Sequence, residues 1–141
     1  MIAELAQDLT AKVKSVTSNA FGTSVKRVGL AAGAKGTDPL MQRVALPASW
    51  IIFTGDENVE ITDRIMCGPT VKFSFAVKII MDYTTEANLL SAAYPLLDEV
   101  RDTVHSSTGV KGGQWKYEGQ LLEELTDRII FEQRYSYSVS A

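Results

Sequence analysis

Two residues of this chain could carry reactive chemistry, its single histidine and its single cysteine. His105 follows Asp102 and Arg101 closely, a spacing that could place an imidazole base beside an orienting carboxylate. No serine or cysteine nucleophile lies at a recognisable turn, so a surface histidine at a helix end is the favoured interpretation. Cys67 has no partner for an internal disulfide and is interpreted as a small apolar residue. The sequence therefore predicts no catalytic residues and no enzymatic activity.

Patterns that bind metals or nucleotides are incomplete in this chain. The acidic stretch from Asp56 to Asp63 does not follow the D-x-[DN]-x-[DN]-G spacing of a calcium loop, and its carboxylates are interpreted as solvated. Gly29, Gly33 and Gly36 do not have the spacing of the dinucleotide fingerprint, and no predicted helix start follows them. The sequence therefore predicts no metal site and no cofactor.

Aromatic residues near the C-terminus alternate along two predicted strands. Trp115 and Tyr117 form one pair, and Tyr135 and Tyr137 form the other. Such a ladder could stack nucleic-acid bases, but packing across strands is the favoured interpretation. The net charge of −3 and the scattered basic residues agree with this, because nucleic-acid affinity comes mainly from a concentrated basic surface. No sequence-specific nucleic-acid binding is expected.

The composition is that of an ordinary globular protein. Of the 141 residues, 45% are hydrophobic and 22% are charged, which predicts one domain over residues 1–141. The apolar runs are shorter than the roughly 20 residues that a membrane span needs, so no membrane partner is expected. Glu4 and Asp8 interrupt the first apolar pattern where a signal peptide would be continuous, and a reducing cytoplasm is the expected compartment.

Periodicity in the C-terminal half predicts the elements that hold these residues. Apolar residues at every second position predict strands over 70–81 and 128–139. Between them, apolar residues at helical spacing predict a helix over 86–105. Pro95 falls inside that helix and should kink it or mark the first position of a second segment. A short strand over 114–118 is also predicted.

The N-terminal half is predicted to contain a helix and a hairpin. Apolar residues from Ile2 to Val16 mark one face of the helix. Strands over 25–31 and 43–54 follow, and the segment 32–42 is predicted to form a long mobile hairpin tip. Pro47 cannot donate to a strand ladder, which predicts an edge or bulged position for the second strand.

The order of the elements predicts an α+β fold. A polar loop is predicted over 55–69, and a second loop is predicted to contain Leu121, Leu122, Glu123 and Glu124. The resulting order of elements is α-β-β-β-α-β-β, which favours a mostly antiparallel sheet with two helices packed on one face and a long hairpin loop.

This order, together with the lengths and the apolar pattern, resembles the tail terminator proteins of long-tailed bacteriophages. The resemblance covers nearly the whole chain. Within this group, the chain is similar to the Mu-like family of small tail terminators and neck proteins. It is carried by the N-terminal amphipathic helix, the hairpin with a long tip, the strand Thr70 to Met81, the helix Glu86 to His105, and a closing meander built on Trp115-Lys-Tyr-Glu-Gly and Ile129 to Val139.

The resemblance implies a structural virion protein. Members of this family form rings, here expected to be hexamers, that cap the tail tube, stop its polymerisation and dock the neck or head-completion protein. In a contractile tail the ring also anchors the last sheath ring. The implied partners are therefore further copies of the chain, tail tube protein, neck protein and, in contractile tails, sheath protein, with the genome passing through the ring lumen. The implied location is the virion tail or neck, assembled in the host bacterial cytoplasm.

Charged residues in the two long predicted loops are the candidate interface of such a ring. Binding residues concentrate on loops held by a rigid scaffold, and charges of both signs would let neighbouring copies pair. The candidate residues are Lys35, Asp38, Arg43, Asp56, Glu57, Glu60, Asp63 and Arg64.

Two other functions fit the same observations. One is another neck or tail-completion protein of a phage. The other is a small-molecule-binding or enzymatic α+β domain. A ring would appear as a concentration-dependent oligomer, whereas a binding domain would appear as a monomer with a concave, polar-lined pocket.

Overall fold

A computed structural model describes residues 1–16, 27–30, 48–60, 69–82, 85–124 and 128–140. Within these ranges the chain forms two longer helices, one short 3-10 helix (Val110–Gly112) and a five-stranded sheet. Helix α2 covers residues 86–104 in three consecutive pieces, Glu86–Asn88, Leu89–Ala93 and Tyr94–Val104. The remaining elements are α1 (Ile2–Lys14), β1 (Arg27–Leu30), β2 (Ala48–Glu60), β3 (Pro69–Asp82), β4 (Trp115–Glu124) and β5 (Arg128–Ser140).

The sheet is open and has the strand order β1-β2-β3-β5-β4. Every neighbouring pair is antiparallel except β1 and β2, which are parallel. The predicted α+β class with a mostly antiparallel sheet is therefore confirmed. The predicted hairpin between the first two strands is wrong, because parallel strands cannot be joined by a hairpin turn. The segment 32–42 and Pro47 lie outside the described residues.

The antiparallel pair β3 and β5 forms the centre of the sheet. Its register runs without a shift from Thr70 opposite Ser140 to Asp82 opposite Arg128. Because side chains alternate along a strand, this register places most of the large apolar side chains of both strands on one face, here called the helix face. Its buried residues on these two strands are Phe73, Phe75, Val77, Ile79, Met81, Ile129, Phe131, Tyr135 and Tyr137. The opposite face is called the outer face. Ala76, Ile80 and Ile130 lie on the outer face and are buried as well.

Both helices cover the helix face, as the apolar stripes predict. Leu5, Leu9 and Val13 of α1 join the same buried cluster as Val100 and Val104 of α2. Val77 at the centre of β3 is fully buried beneath them. The helices and the sheet therefore enclose one continuous core.

Pro95 interrupts helix α2 in the way that its chemistry requires. Proline has no N–H and its ring collides with the carbonyl of the residue four positions earlier in a regular α-helix. The chain meets this constraint with a wider π-helical turn, Leu89–Ala93, and starts the α-helical body at Tyr94. The α-helical body thus restarts at Tyr94, one residue before the predicted first position at Pro95.

Strands β2 and β4 are longer than the sequence predicts. Residues 55–60 continue β2 and residues 121–124 complete β4, so both predicted loops are wrong over these residues. Each strand contains a bulge, at Gly55 (φ +147°) and Gly119 (φ +140°), where positive φ favours glycine. An extra residue reverses the alternation of faces, which hides a strand from a search for alternating apolar residues.

The turn from Gly109 to Gly113 packs against Tyr137 of β5. The ring of Tyr137 lies so close to Gly109 and Gly113 that a Cβ atom at either position would come within 2.7 Å of it. Beside this turn, Trp115 donates its Nε1–H to the Asp8 carboxylate at 2.8 Å. These contacts join α1 to β4 and β5.

The buried faces of β3 and β5 give a direct stability prediction. Phe75 is only 1% exposed, so Phe75→Ala removes a ring from the centre of the core and should lower the free energy of unfolding by about 3 to 5 kcal/mol. The matched control is Phe53→Ala, because Phe53 lies against Phe75 but is 38% exposed and should cost about half as much or less. Chemical denaturation measures both values. Equal small losses, below about 1 kcal/mol, would show that this face is not the core.

Candidate functional site on the outer face of the sheet

A row of aromatic residues crosses the sheet at the level of the two bulges. On the helix face, Phe53, Phe75, Tyr135 and Tyr117 lie opposite one another on β2, β3, β5 and β4. The register of β2 shifts on one side of this row and that of β4 shifts on the other. Because a bulge bends its strand and increases the local twist, the two flanking strands deform around the same level of the sheet.

A groove of about 380 Å³ lies on the outer face at this level. Its lining includes the residue that precedes each bulge glycine, Thr54 before Gly55 in β2 and Glu118 before Gly119 in β4. Its lining consists of Thr54, Lys72, Ser74, Phe75, Glu118, Glu132, Arg134 and Tyr135. The groove is thus polar, with two cations and two carboxylates among its lining residues.

One set of charges lies at the β4 side of the groove. The Oε1 atom of Glu118 accepts a hydrogen bond of 2.6 Å from the Ser136 hydroxyl. The same oxygen lies 3.8 Å from the Lys72 ammonium and 4.0 Å from that of Lys116. Lys72 also reaches Glu57 of β2 at 3.9 Å, so the set links both flanking strands across the centre of the sheet.

A second set surrounds Lys78 further along β3. Its ammonium lies 3.6 Å from Glu123 of β4 and 3.9 Å from Glu132 of β5. Glu132 in turn accepts a hydrogen bond from Arg134 Nε at 3.1 Å. The Lys78 and Glu132 side chains are only 13% and 15% exposed, whereas that of Glu123 is 49% exposed. The pair of Lys78 with the more exposed Glu123 should contribute about 0 to 1 kcal/mol.

The surroundings of Glu118 lower the pKa of its carboxyl below the ordinary glutamate value. The hydrogen bond from Ser136 is the largest cause; partial burial opposes it, and the positive charges of Lys72 and Lys116 act in the same direction as Ser136. Glu118 therefore stays ionised in the folded protein to a lower pH than in the unfolded chain.

The residues considered for catalysis have structural contacts or lie outside the described ranges. His105 follows the last residue of α2, and its Nδ1 atom accepts a hydrogen bond of 3.1 Å from the backbone N–H of Tyr117. This bond covers part of the outer edge of β4. Cys67 lies outside the described residues. Among the part of the chain that the structure describes, no group of three or more His, Cys, Asp or Glu residues could hold a metal ion.

The aromatic ladder packs into the core rather than facing solvent. The rings of Trp115 and Tyr137 are 4.9 Å apart between centroids, and those of Tyr117 and Tyr135 are 5.7 Å apart. Tyr135 donates its hydroxyl to Gln133 at 2.7 Å, and burial raises the pKa of its phenol. These contacts confirm the packing interpretation.

The predicted interface residues are only partly within the described ranges. Asp56 and Glu57 are exposed on the extension of β2, and Glu60 is the last residue of that strand. The sequence analysis had placed these three residues in a loop, but they lie on strand β2. The remaining five, Lys35, Asp38, Arg43, Asp63 and Arg64, lie outside the described residues.

The charged residues of the outer face were missed by the sequence analysis. They could have been found from the polar positions that alternate with the apolar positions along the same two strands. Positions 72, 74 and 78 of β3 and 132, 134 and 136 of β5 interleave with the apolar positions and carry charged or hydroxyl side chains. Their partners on β4 could not have been found, because residues 121–124 were assigned to a loop.

Comparison with known proteins identifies a similar structure. No protein-family model matches the chain, and no curated protein sequence does. Among solved structures, the chain is similar to one described as the virion of a native gene transfer agent (GTA) particle. The TM-score is 0.60 at 13% identity, over 99% of this chain and 97% of that chain. At this identity the likeness establishes a shared fold, which extends over the whole domain.

No described helix is long and apolar enough to cross a membrane.

The pKa of Glu118 provides a test of the groove. In Ser136→Ala the largest cause of the lowered pKa is gone, so the Glu118 carboxyl should titrate closer to an ordinary glutamate in an NMR titration of its side-chain carbon. Glu118 stabilises the fold at pH values above its unfolded pKa, and this contribution is lost as the pH falls through the lower folded pKa. The free energy of unfolding of Ser136→Ala should therefore begin to fall at a higher pH than that of the wild type during acid titration.

The matched control is Ser138→Ala, two residues further along the same face of β5 and exposed. Its Glu118 titration should match the wild type. An unchanged Glu118 titration in Ser136→Ala would contradict the assigned cause.

Proposed function

We propose that this chain is a structural component of a phage-type particle. The observation that carries the proposal is the fold match to a chain of a gene transfer agent virion, because it covers both chains almost from end to end. A match of this extent aligns the whole architecture and not only a common supersecondary motif. The outer face supports the same proposal, since its cations and carboxylates are already paired with one another and suit contact with another protein surface better than capture of a single charged ligand.

Within that class we propose a tail terminator. The chain forms a ring, expected to be a hexamer, which binds the end of the tail tube, stops its polymerisation and offers a docking surface to a neck or head-completion protein. In a contractile tail the same ring contacts the sheath, and the genome passes through its lumen. The ring acts in the tail or neck of the virion and is assembled in the cytoplasm of the bacterial host. What supports this finer assignment is the order of elements, which resembles that family along nearly the whole chain.

A second candidate is another neck or tail-completion protein. The fold match favours it equally, because the matched structure is described only as part of a virion. The two candidates differ in what they bind, since only a terminator blocks the growing end of a tail tube.

The terminator assignment is tested with purified tail tube protein from the same phage or prophage. Tubes are polymerised with and without this chain, and their lengths and ends are examined by negative-stain electron microscopy. We expect elongation to stop, with a ring visible at the blocked end. Unchanged tube length, with no chain bound at the ends, would contradict the assignment while leaving a neck role open.

A structural role also predicts that the histidine is dispensable for assembly. His105→Ala removes the acceptor for the Tyr117 N–H and should cost about 1 kcal/mol of stability. The variant should still block tube elongation as well as the wild type at a temperature where both are folded. Loss of blocking by a folded His105→Ala protein would indicate that the side chain itself takes part in function.

A further inference from the structure

The connection between α2 and β4 runs back along the outer edge of β4. Residues 106–109 pair with residues 113–115 in a short antiparallel ladder, here called the edge ladder. Its hydrogen bonds run from Ser106 N–H to the Trp115 carbonyl (2.8 Å), from Trp115 N–H to the Ser107 carbonyl (3.0 Å) and from Gly109 N–H to the Gly113 carbonyl (2.9 Å), with a bridge between Thr108 and Gln114. Further along, from Glu118 to Glu124, no backbone group of the described residues pairs with this edge.

His105 adds one more hydrogen bond to the edge ladder, through its side chain. The backbone N–H of His105 donates to the Arg101 carbonyl at 2.8 Å, so its main chain still belongs to the end of α2. Ser106 follows with a left-handed φ of +63°, where the chain turns from the helix onto the edge. After Trp115, the next N–H of β4 on this edge is that of Tyr117, and the imidazole Nδ1 accepts it at 3.1 Å. The side chain therefore supplies an acceptor at a position that the backbone of the edge ladder does not reach.

The direction of this hydrogen bond fixes the charge state of the imidazole. A ring nitrogen that accepts a hydrogen bond carries no proton, so His105 must be neutral, with its proton on Nε2. In the charged imidazole both ring nitrogens are donors, and an Nδ1–H would then face the N–H of Tyr117. The contact is therefore present at higher pH and is lost as the pH falls through the titration of His105.

The ionisable side chains on the elements around His105 are already paired or are of types that titrate elsewhere. They are Asp98, Arg101 and Asp102 of α2, Lys111 of the 3-10 turn, Lys116, Tyr117 and Glu118 of β4, and Tyr135 of β5. Arg101 lies 3.3 Å from Asp98 and 3.5 Å from Asp102, and its guanidinium lies 5.9 Å from the centre of the Tyr117 ring. Lys116 lies 4.0 Å from Glu118. Among all these side chains, imidazole is the type that ordinarily titrates between about pH 5 and pH 8.

We propose that His105 is a pH-sensitive clamp on the outer edge of β4. The neutral imidazole holds the Tyr117 N–H and extends the cover of the edge as far as this residue. Protonation releases that N–H, and the open part of the edge then grows from residues 118–124 to residues 117–124. Since an unpaired edge is a template for an added strand, proton uptake is coupled to the exposure of strand-pairing surface. This inference goes beyond the proposed function and holds equally for a monomer and for a ring.

Hydrogen exchange of single amides, followed by NMR on the full chain, tests the clamp. The protection factor of the Tyr117 amide is measured between about pH 8 and pH 5, and the His105 imidazole is titrated in the same samples. A protection factor compares the measured rate with the intrinsic rate at the same pH, so the pH dependence of the exchange chemistry itself cancels. We expect Tyr117 protection to fall roughly 2- to 10-fold in step with the imidazole titration, the size that the loss of one net hydrogen bond gives. The amide of Val77, at the centre of β3, monitors opening of the whole fold and should not follow this titration.

Two substitutions separate the proton from the side chain. His105→Asn places an amide oxygen close to the position of Nδ1, so it can accept the Tyr117 N–H but cannot take up a proton in this pH range. Its Tyr117 protection should stay constant from about pH 8 to pH 5. His105→Ala has no acceptor at all, and its Tyr117 protection should be low and equally constant. Because His105 is exposed, both variants should keep the fold.

Two results would overturn the clamp. One is a Tyr117 protection factor in the wild type that stays constant while the imidazole titrates. The other is the same pH-dependent loss in His105→Asn, because the proton would then bind to another group. Neither result bears on tube capping, so the proposed function is tested separately.

Discussion

The pairing of β3 with β5 is the constraint on which the rest of the structure depends. Thirteen consecutive residue pairs fix the two strands without a shift, from Thr70 opposite Ser140 to Asp82 opposite Arg128. A slip of one residue would turn the aromatic and aliphatic side chains of one strand away from the helices and turn charged side chains towards them. The hydrophobic core and the charged groove are therefore two consequences of one register.

The flanking strands adapt to this rigid centre. β2 and β4 each contain a bulge with a glycine at positive φ, and the two bulges border the same row of aromatic residues. The bend brings Glu57 and Glu118, from opposite sides of the sheet, to the same lysine of the central strand, Lys72. A surface held in this way presents fixed charges without depending on loop conformation, which suits repeated contact with identical partners.

How much could be predicted from the sequence depended on whether a pattern was local. Alternation in 70–81 and 128–139 and the helical stripe in 86–105 are local, and they identified the centre of the sheet, the second helix and the restart near Pro95. Strand β4 was missed beyond Glu118 because the bulge at Gly119 reverses its alternation. The parallel pairing of β1 and β2 could not be predicted, because it depends on contacts between distant residues and not on either strand alone. The placement of Asp56, Glu57 and Glu60 in a loop was wrong for a similar reason, because they continue β2 beyond its bulge; their role in an interface stays a prediction.

The fold and its likeness to a virion structure motivate one proposal, that copies of this chain associate into a closed ring. Native mass spectrometry of the wild-type protein over a range of concentrations tests this claim most directly. A closed ring predicts that monomer is replaced by one dominant oligomer, expected to be a hexamer, with few intermediates. A protein that remains monomeric throughout, or that forms an open series of oligomers without a preferred size, would contradict it.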